Sequence, residues 1–226
     1  MKLNGKTWSW SYSRYTSFEN CPKQYFHVNV AKDVSDRNAF NEKGEDEHKI
    51  IERYLRYGNP LPPTLVPMQP VFDKIMNTPG LRGIEEAVCI TDQYQPTHFK
   101  DWENGWLRGK LDFTLTANGV TTYIDWKTGK FRPSDEQILL MALMLFAADP
   151  SVHTVNGALV FIYHGKSHRL TVTRDRVVEG WNHFLPTVRA MMQAEQQMNF
   201  PARQGPLCAY CPVASCPFNS NPKFKG

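Results

Sequence analysis

Two short runs, Gly109-Lys110-Leu111-Asp112 and Asp125-Trp126-Lys127, place two carboxylates and two amines on either side of Asn118-Gly119. Asn-Gly between two alternating apolar runs is a two-residue hairpin signal. With those residues as the loop, Ala117 faces Val120, and the ladder sets Asp112 opposite Asp125 and Lys110 opposite Lys127. Side chains alternate across a strand, so these four share one face while Leu111, Phe113, Ile124 and Trp126 take the other. Directly opposed carboxylates have Cβ atoms about 4.5–5.5 Å apart and repel each other. A hard divalent cation such as Mg²⁺ or Mn²⁺ relieves that repulsion through oxygen ligands. A lysine alongside orients water and steadies charge on a phosphate, which completes the parts needed for metal-assisted phosphodiester hydrolysis. A solvated hairpin face with alternating charges carries the same residues, and a bulge would break the register. On these residues alone both readings stand.

Cysteine usage adds a second chemistry. Cys208, Cys211 and Cys216 crowd into CAYCPVASC, Cys21 sits in ENCPKQYF, and Cys89 stands alone in an apolar run, where it reads as a small core residue. C-x2-C-x4-C with one distant cysteine supplies four thiolates, enough for Zn²⁺ or a [4Fe–4S] cluster. Spacing alone favours a zinc knuckle. Either centre would tie the two chain ends together, and a reducing compartment argues against disulfides.

The elements that must position these groups follow from periodicity. Ser/Thr caps followed by aromatics predict a helix over 13–26, and Ile50, Ile51, Tyr54 and Leu55 recur at helical spacing over 46–56. A short helix over 71–76 precedes a strand over 84–91 and the hairpin strands 105–116 and 120–127. Ser134 with Gln137 marks the start of an apolar helix that Asp149-Pro150 stops near 148. Strands over 157–163 and 169–173 and a helix over 174–197 complete the order, with Pro186 as a kink point. The fold class expected is α/β, a mixed central sheet flanked by helices.

Bulk properties constrain less. The 226 residues, 41% hydrophobic and 12% aromatic, suffice for a packed core, and no linker-like stretch divides them. Residues 1–226 therefore read as a single domain. The net charge of +4 permits a polyanionic partner without requiring one. The longest apolar run, 138–148, is too short to span a bilayer, and the N-terminal MKLNGKTWSWSYS lacks a secretory apolar stretch. A cytoplasmic protein with no membrane partner is expected.

Together these motifs resemble the PD-(D/E)XK nuclease superfamily, which implies that the mixed sheet and its helices form a restriction-endonuclease-like core. Gly109 to Asp112 and Asp125 to Gly129 match its two core motifs, and Gly44 with His48 is similar to the G-x3-H element of its RecB-like branch. Gln137 resembles the glutamine of that branch's Q-x3-Y helix, although Met141 stands where the tyrosine would be. Cys21 with Cys208, Cys211 and Cys216 resembles the split iron–sulfur set of CRISPR-associated RecB-like exonucleases and AddB-type nucleases. The last gap, Pro212 to Ser215, is about one residue short of that pattern.

The resemblance implies that His48, Asp112, Asp125 and the Trp126 carbonyl ligate Mg²⁺ or Mn²⁺. It also implies that Lys127 assists the attacking water and that Gln137 supports the site or touches DNA. It shifts the cysteine reading from Zn²⁺ to [4Fe–4S].

Phosphate binding needs nearby cations. Lys110, Lys130 and Arg132 lie in or beside the motifs, and Arg14 and Lys23 lie near Cys21, interleaved with Tyr12, Tyr15 and Tyr25, which could stack on unpaired bases or pack in the core. Either Glu85 or Glu86 could face the metal as a further ligand. The function expected is a metal-dependent DNA exonuclease acting on single strands or ends. The alternatives are a nuclease-fold subunit of a recombination, repair or spacer-acquisition complex, and a non-catalytic DNA-binding module. No P-loop pattern is present, so unwinding would fall to a helicase or recombination partner.

Overall fold

The computed structural model describes residues 2–3, 6–35 and 39–224. In chain order the elements are β1 (Lys2–Leu3), β2 (Lys6–Thr7), α1 (Tyr12–Asn20), α2 (Pro22–Tyr25), α3 (Ala39–Tyr57) and α4 (Gln69–Asn77). Then follow β3 (Leu81–Ile90), β4 (Pro96–Thr97), β5 (Leu107–Ala117), β6 (Val120–Lys127), α5 (Asp135–Ala148), β7 (Thr154–Phe161), β8 (Lys166–Thr173) and α6 (Val177–Gln197). They fall into two compact units, one of residues 1–38 with 182–226 and one of residues 39–181. No helix among the described residues is long and apolar enough to cross a membrane.

In the unit formed by the chain ends, Ser11 caps α1 by accepting the Arg14 N–H. The helix expected over 13–26 is broken. Proline disfavours helical backbone in the residue before it, so Cys21 is extended (φ −163°, ψ 112°) and Pro22 starts α2 as its first residue. Tyr15 packs edge-on against Phe184 of α6, and Phe18 edge-on against Tyr25. Arg14 ties this core together. It donates to the Ser9 carbonyl, to the Tyr25 hydroxyl and to Glu195, while the Tyr25 hydroxyl also donates to Glu195. Burial, with Glu195 alongside and Arg14 opposing, raises the Tyr25 hydroxyl well above the usual phenol range.

The second unit holds a mixed six-stranded sheet of order β4-β3-β5-β6-β7-β8. Every pairing is antiparallel except β6 with β7, and α5 supplies the crossover that a parallel pair requires. One sheet face buries Phe113, Leu115, Ile124 and Trp126, with Ile162 just past β7, against Ile51 and Leu55 of α3 and Phe72 of α4. On the other face Leu159 and Phe161 pack with Ile138 of α5.

The Asn118-Gly119 turn has positive φ at both residues (51° and 72°), as a two-residue loop of the primed type needs. The ladder keeps the expected register from Ala117↔Val120 to Phe113↔Ile124 and stops one pair short of Asp112 and Asp125. There the Asp112 carboxylate accepts the Trp126 N–H at 2.8 Å, so a side chain takes the place of a ladder partner. Lys110 and Lys127 lie beyond that end of the ladder and are not register partners, although on their other flanks they pair with Ala87 of β3 and Phe161 of β7. The face-to-face pairing expected for Asp112 with Asp125 and Lys110 with Lys127 is corrected in this way. The β3–β5 register likewise passes from Ile84↔Phe113 to Glu86↔Leu111, with Glu85 in the left-handed region at φ 51°.

Candidate active site

Asp112 lies in β5 where the pairing on each flank is interrupted, and Asp125 lies two residues from the end of β6. Both carboxylates are buried, at 8% and 7% exposure. His48 comes from α3, with Nδ1 3.3 Å from Asp112 Oδ2 and 3.9 Å from Glu85 Oε1. His48, Glu85 and Asp112 each offer one ligand atom, all within 4.8 Å of one another. They open into a cleft of about 400 Å³ that Gly44, Lys49 and Lys110 also line. Lys110 forms an ion pair with Glu85.

This donor set is two hard carboxylates with one borderline imidazole and no thiolate. It fits a hard divalent cation and does not fit soft metals. Of the two glutamates considered as a further ligand, Glu85 is the one that faces His48. Glu86 is turned to the Thr114 hydroxyl, at 2.9 Å.

Asp125 is held differently. Its Oδ1 accepts from the Tyr123 hydroxyl at 3.0 Å and from Gln137 Nε2 at 2.7 Å. Its Oδ2 makes no hydrogen bond and lies 2.7 Å from Lys127 Nζ, off the bonding direction. Ser134 caps α5 by accepting the Gln137 N–H, which places Gln137 in the first turn, with its amide on β6. Met141, in the position where the family pattern has tyrosine, is buried and packs near Gly109.

Burial pushes the Asp125 carboxyl up; Lys127 opposes this and Asp112 adds to it. Burial likewise raises Glu85 against Lys110. For His48 burial works downward, but Asp112, Asp125 and Glu85 outweigh it and the imidazolium persists above its usual range. All three groups therefore hold protons to higher pH than usual, and a cation must displace them. Mn²⁺ affinity is expected to go on rising with pH above about 6.5, the ordinary imidazole value, where ordinary carboxylates no longer titrate. Calorimetric titration in buffers of different ionisation heat reads the released protons. Affinity that stays flat over this range contradicts the assignment.

Helix α3 approaches Thr128, the residue after β6, closely at Gly44. A Cβ there would lie 3.0 Å from the Thr128 hydroxyl. Gly44→Val should displace the turn that carries His48 and cut kcat/KM by about tenfold to a hundredfold, since a 1 Å misplacement costs on that order. Adding Thr128→Ala should restore part of the loss. If Gly44→Val cuts normally, the close approach does not position His48.

Of the residues singled out for DNA contact, Lys130 and Arg132 are exposed in the loop after β6. Lys23 lines a cavity in the other unit. Arg14 is engaged in the Glu195–Tyr25 network, and Tyr15 and Tyr25 are core rings, so neither ring offers a stacking surface. Tyr123 and Lys49 border the site and had no signal in the sequence motifs, while Thr128 lies within the second motif but carried no role there.

Cys21, Cys208, Cys211 and Cys216 line one cavity of about 310 Å³, while Cys89 is buried in β3. No three of their sulfurs lie mutually within 4.8 Å among the described residues. Tetrahedral zinc, with Zn–S of about 2.3 Å, would draw its sulfurs to about 3.8 Å. A backbone N–H addresses one of the sulfurs, that of Arg203 on Cys21 at 3.4 Å. Asn219 and Asn221 brace the irregular tail by donating to the Cys211 carbonyl, and Asn219 also donates to that of Val213.

The profile of the PD-(D/E)XK nuclease superfamily matches residues 9–217. No curated protein matches the chain. Among solved structures, the crystal structure of SSO0001 shares 12% sequence identity and covers 97% of this chain and 89% of that one, with a TM-score of 0.44.

Proposed function

The chain belongs to the PD-(D/E)XK nuclease superfamily, and we propose that it is a Mg²⁺- or Mn²⁺-dependent deoxyribonuclease of the RecB-like branch, an exonuclease on single strands or DNA ends. The observation that carries this reading is the meeting of His48, Glu85 and Asp112 within 4.8 Å, in a cleft bordered by lysines.

His48, Asp112, Asp125 and the Trp126 carbonyl would hold the cation, with Glu85 beside them. When bound, it supplies Lewis acidity toward the phosphate and activation of water. The remaining work falls to the chain. Tyr123 and Gln137 occupy Asp125 Oδ1, which leaves Oδ2 as the oxygen available for ligation. Lys127, released from Oδ2, is free to orient the attacking water and steady charge on the phosphate. Lys49 and Lys110 line the cleft and offset the charge of the incoming backbone.

The four cysteines would hold a [4Fe–4S] cluster. Sulfurs spread around a cavity of about 310 Å³ favour it over a single zinc ion, and an N–H aimed at a thiolate, as that of Arg203 is at Cys21, is a common means of tuning such clusters.

Labelled single- and double-stranded DNA, incubated with Mn²⁺, Mg²⁺ or EDTA, tests the activity. Cutting should require the cation and should stop with EDTA. A folded wild-type protein that cuts neither substrate with either ion overturns the nuclease reading and leaves a binding module.

A further inference from the structure

Two exposed aromatic rings stand at the carboxyl end of β7, outside every motif considered above. Phe131, in the loop after β6, packs on Phe161 with ring centroids 4.7 Å apart. Phe161 is the register partner of Lys127 and faces the α5 side of the sheet. Tyr163, two residues beyond it, lies toward α3, where its hydroxyl donates to Glu47, the neighbour of His48. The rings therefore flank the end of β7 beside Lys127, one toward each helix layer. Both are backed by fixed groups, yet they remain 39% and 43% exposed.

Each ring also carries an amine. Lys166 Nζ lies 5.3 Å from the Phe131 centroid, and Lys43 Nζ lies 5.6 Å from that of Tyr163. A rigid exposed ring with a cation over it has the makings of a site for one nucleotide, the ring for the base and the amine for the phosphate. The two contacts differ enough in strength for exchange. A cation–π contact at an exposed ring is worth about two- to fivefold in a binding constant, whereas a stacked base is worth about five- to 150-fold. A base can displace the ammonium, which then passes to the backbone phosphate.

We propose that Phe131 and Tyr163 are stacking platforms for unpaired bases of single-stranded DNA on either side of the phosphate at Lys127, with Lys166 and Lys43 as their phosphate partners. This rests on the nuclease reading for its substrate class. It adds the means by which the protein prefers unpaired strands, since bases within a duplex have no free face to offer.

Equilibrium binding in EDTA tests it without any cutting, with the full chain, a short fluorescent oligothymidylate, an abasic oligomer of the same length and a blunt duplex. Phe131→Leu and Tyr163→Leu should each weaken oligothymidylate binding about fivefold or more and leave the abasic and duplex ligands unchanged. Phe131→Trp and Tyr163→Phe keep a ring and should bind as the wild type does; Phe131→Trp should leave the melting midpoint unchanged, whereas Tyr163→Phe should lower it by loss of the hydrogen bond to buried Glu47. Lys166→Gln should weaken oligothymidylate and abasic ligand alike and lower the salt slope by about one.

Leucine variants that bind oligothymidylate normally, or lose affinity equally for the abasic oligomer, overturn the platforms. A loss with Phe131→Trp does the same. A wild type whose binding depends on bases but which cuts nothing with metal overturns the nuclease reading and leaves the platforms standing.

Discussion

Asp112→Asn should abolish metal-dependent cutting, with a loss of about a thousandfold or more, the scale of removing about 4 kcal/mol of transition-state stabilisation. Asparagine is preferred to alanine for a structural reason. The buried Asp112 carboxylate accepts the Trp126 N–H, and the amide oxygen of asparagine can still accept it. Alanine would strand that buried donor at a cost of about 1–3 kcal/mol and confuse lost chemistry with lost fold.

Two further readouts separate the roles. Asp112 is the first of the charges that raise His48, so the imidazole of Asp112→Asn should titrate at lower pH than in the wild type, measurable by NMR. Lys127→Ala removes the group that opposes the elevation of Asp125. Its cutting should fall about a hundredfold, at the lower end of what acid–base groups contribute, and its Mn²⁺ binding should need higher pH. Metal-dependent cutting that survives both Asp112→Asn and Lys127→Ala removes the chemistry from this site.

The second large effect concerns the thiols. Cys211→Ala should yield a colourless protein without iron or acid-labile sulfide, whereas Cys89→Ala should stay brown. Cys211 is buried against the cavity, and the irregular tail around it is held by short-range hydrogen bonds, among them those of Asn219 and Asn221 to the Cys211 carbonyl. At such a site binding energy is folding energy. Loss of several kcal/mol should lower the melting midpoint of the unit formed by the chain ends by about 10 °C or more and open residues 198–224 to proteolysis. A colourless wild type with stoichiometric zinc refutes the iron–sulfur assignment, and a Cys211→Ala protein that stays brown refutes the ligand.

Some of this architecture is legible in the residues. Asn118-Gly119 announces the hairpin, and its register holds as far as Phe113 and Ile124. The apolar spacing of Ile51 and Leu55 announces the buried face of α3, and Ser134 the start of α5. Illegible features arise where long-range contacts override the local pattern. Nothing in Ile84-Glu85-Glu86 signals which glutamate meets His48, because a backbone reversal of φ at Glu85 decides it. Tyr15 and Tyr25 look like stacking rings until Phe184 and Phe18 surround them. The break at Cys21 was readable, since Pro22 forbids helix there, but aromatics on both sides disguise it as one continuous helix.

The left-handed backbone at Glu85 also sets stability against use. A non-glycine residue held there costs on the order of 1 kcal/mol. Its buried carboxyl adds repulsion toward Asp112, which Lys110 only partly answers. Glycine would remove both penalties along with the carboxylate beside the metal ligands. A selection for thermal resistance would therefore enrich Glu85→Gly, and a selection for cutting would discard it. Position 85 is where the two pressures on this chain part company.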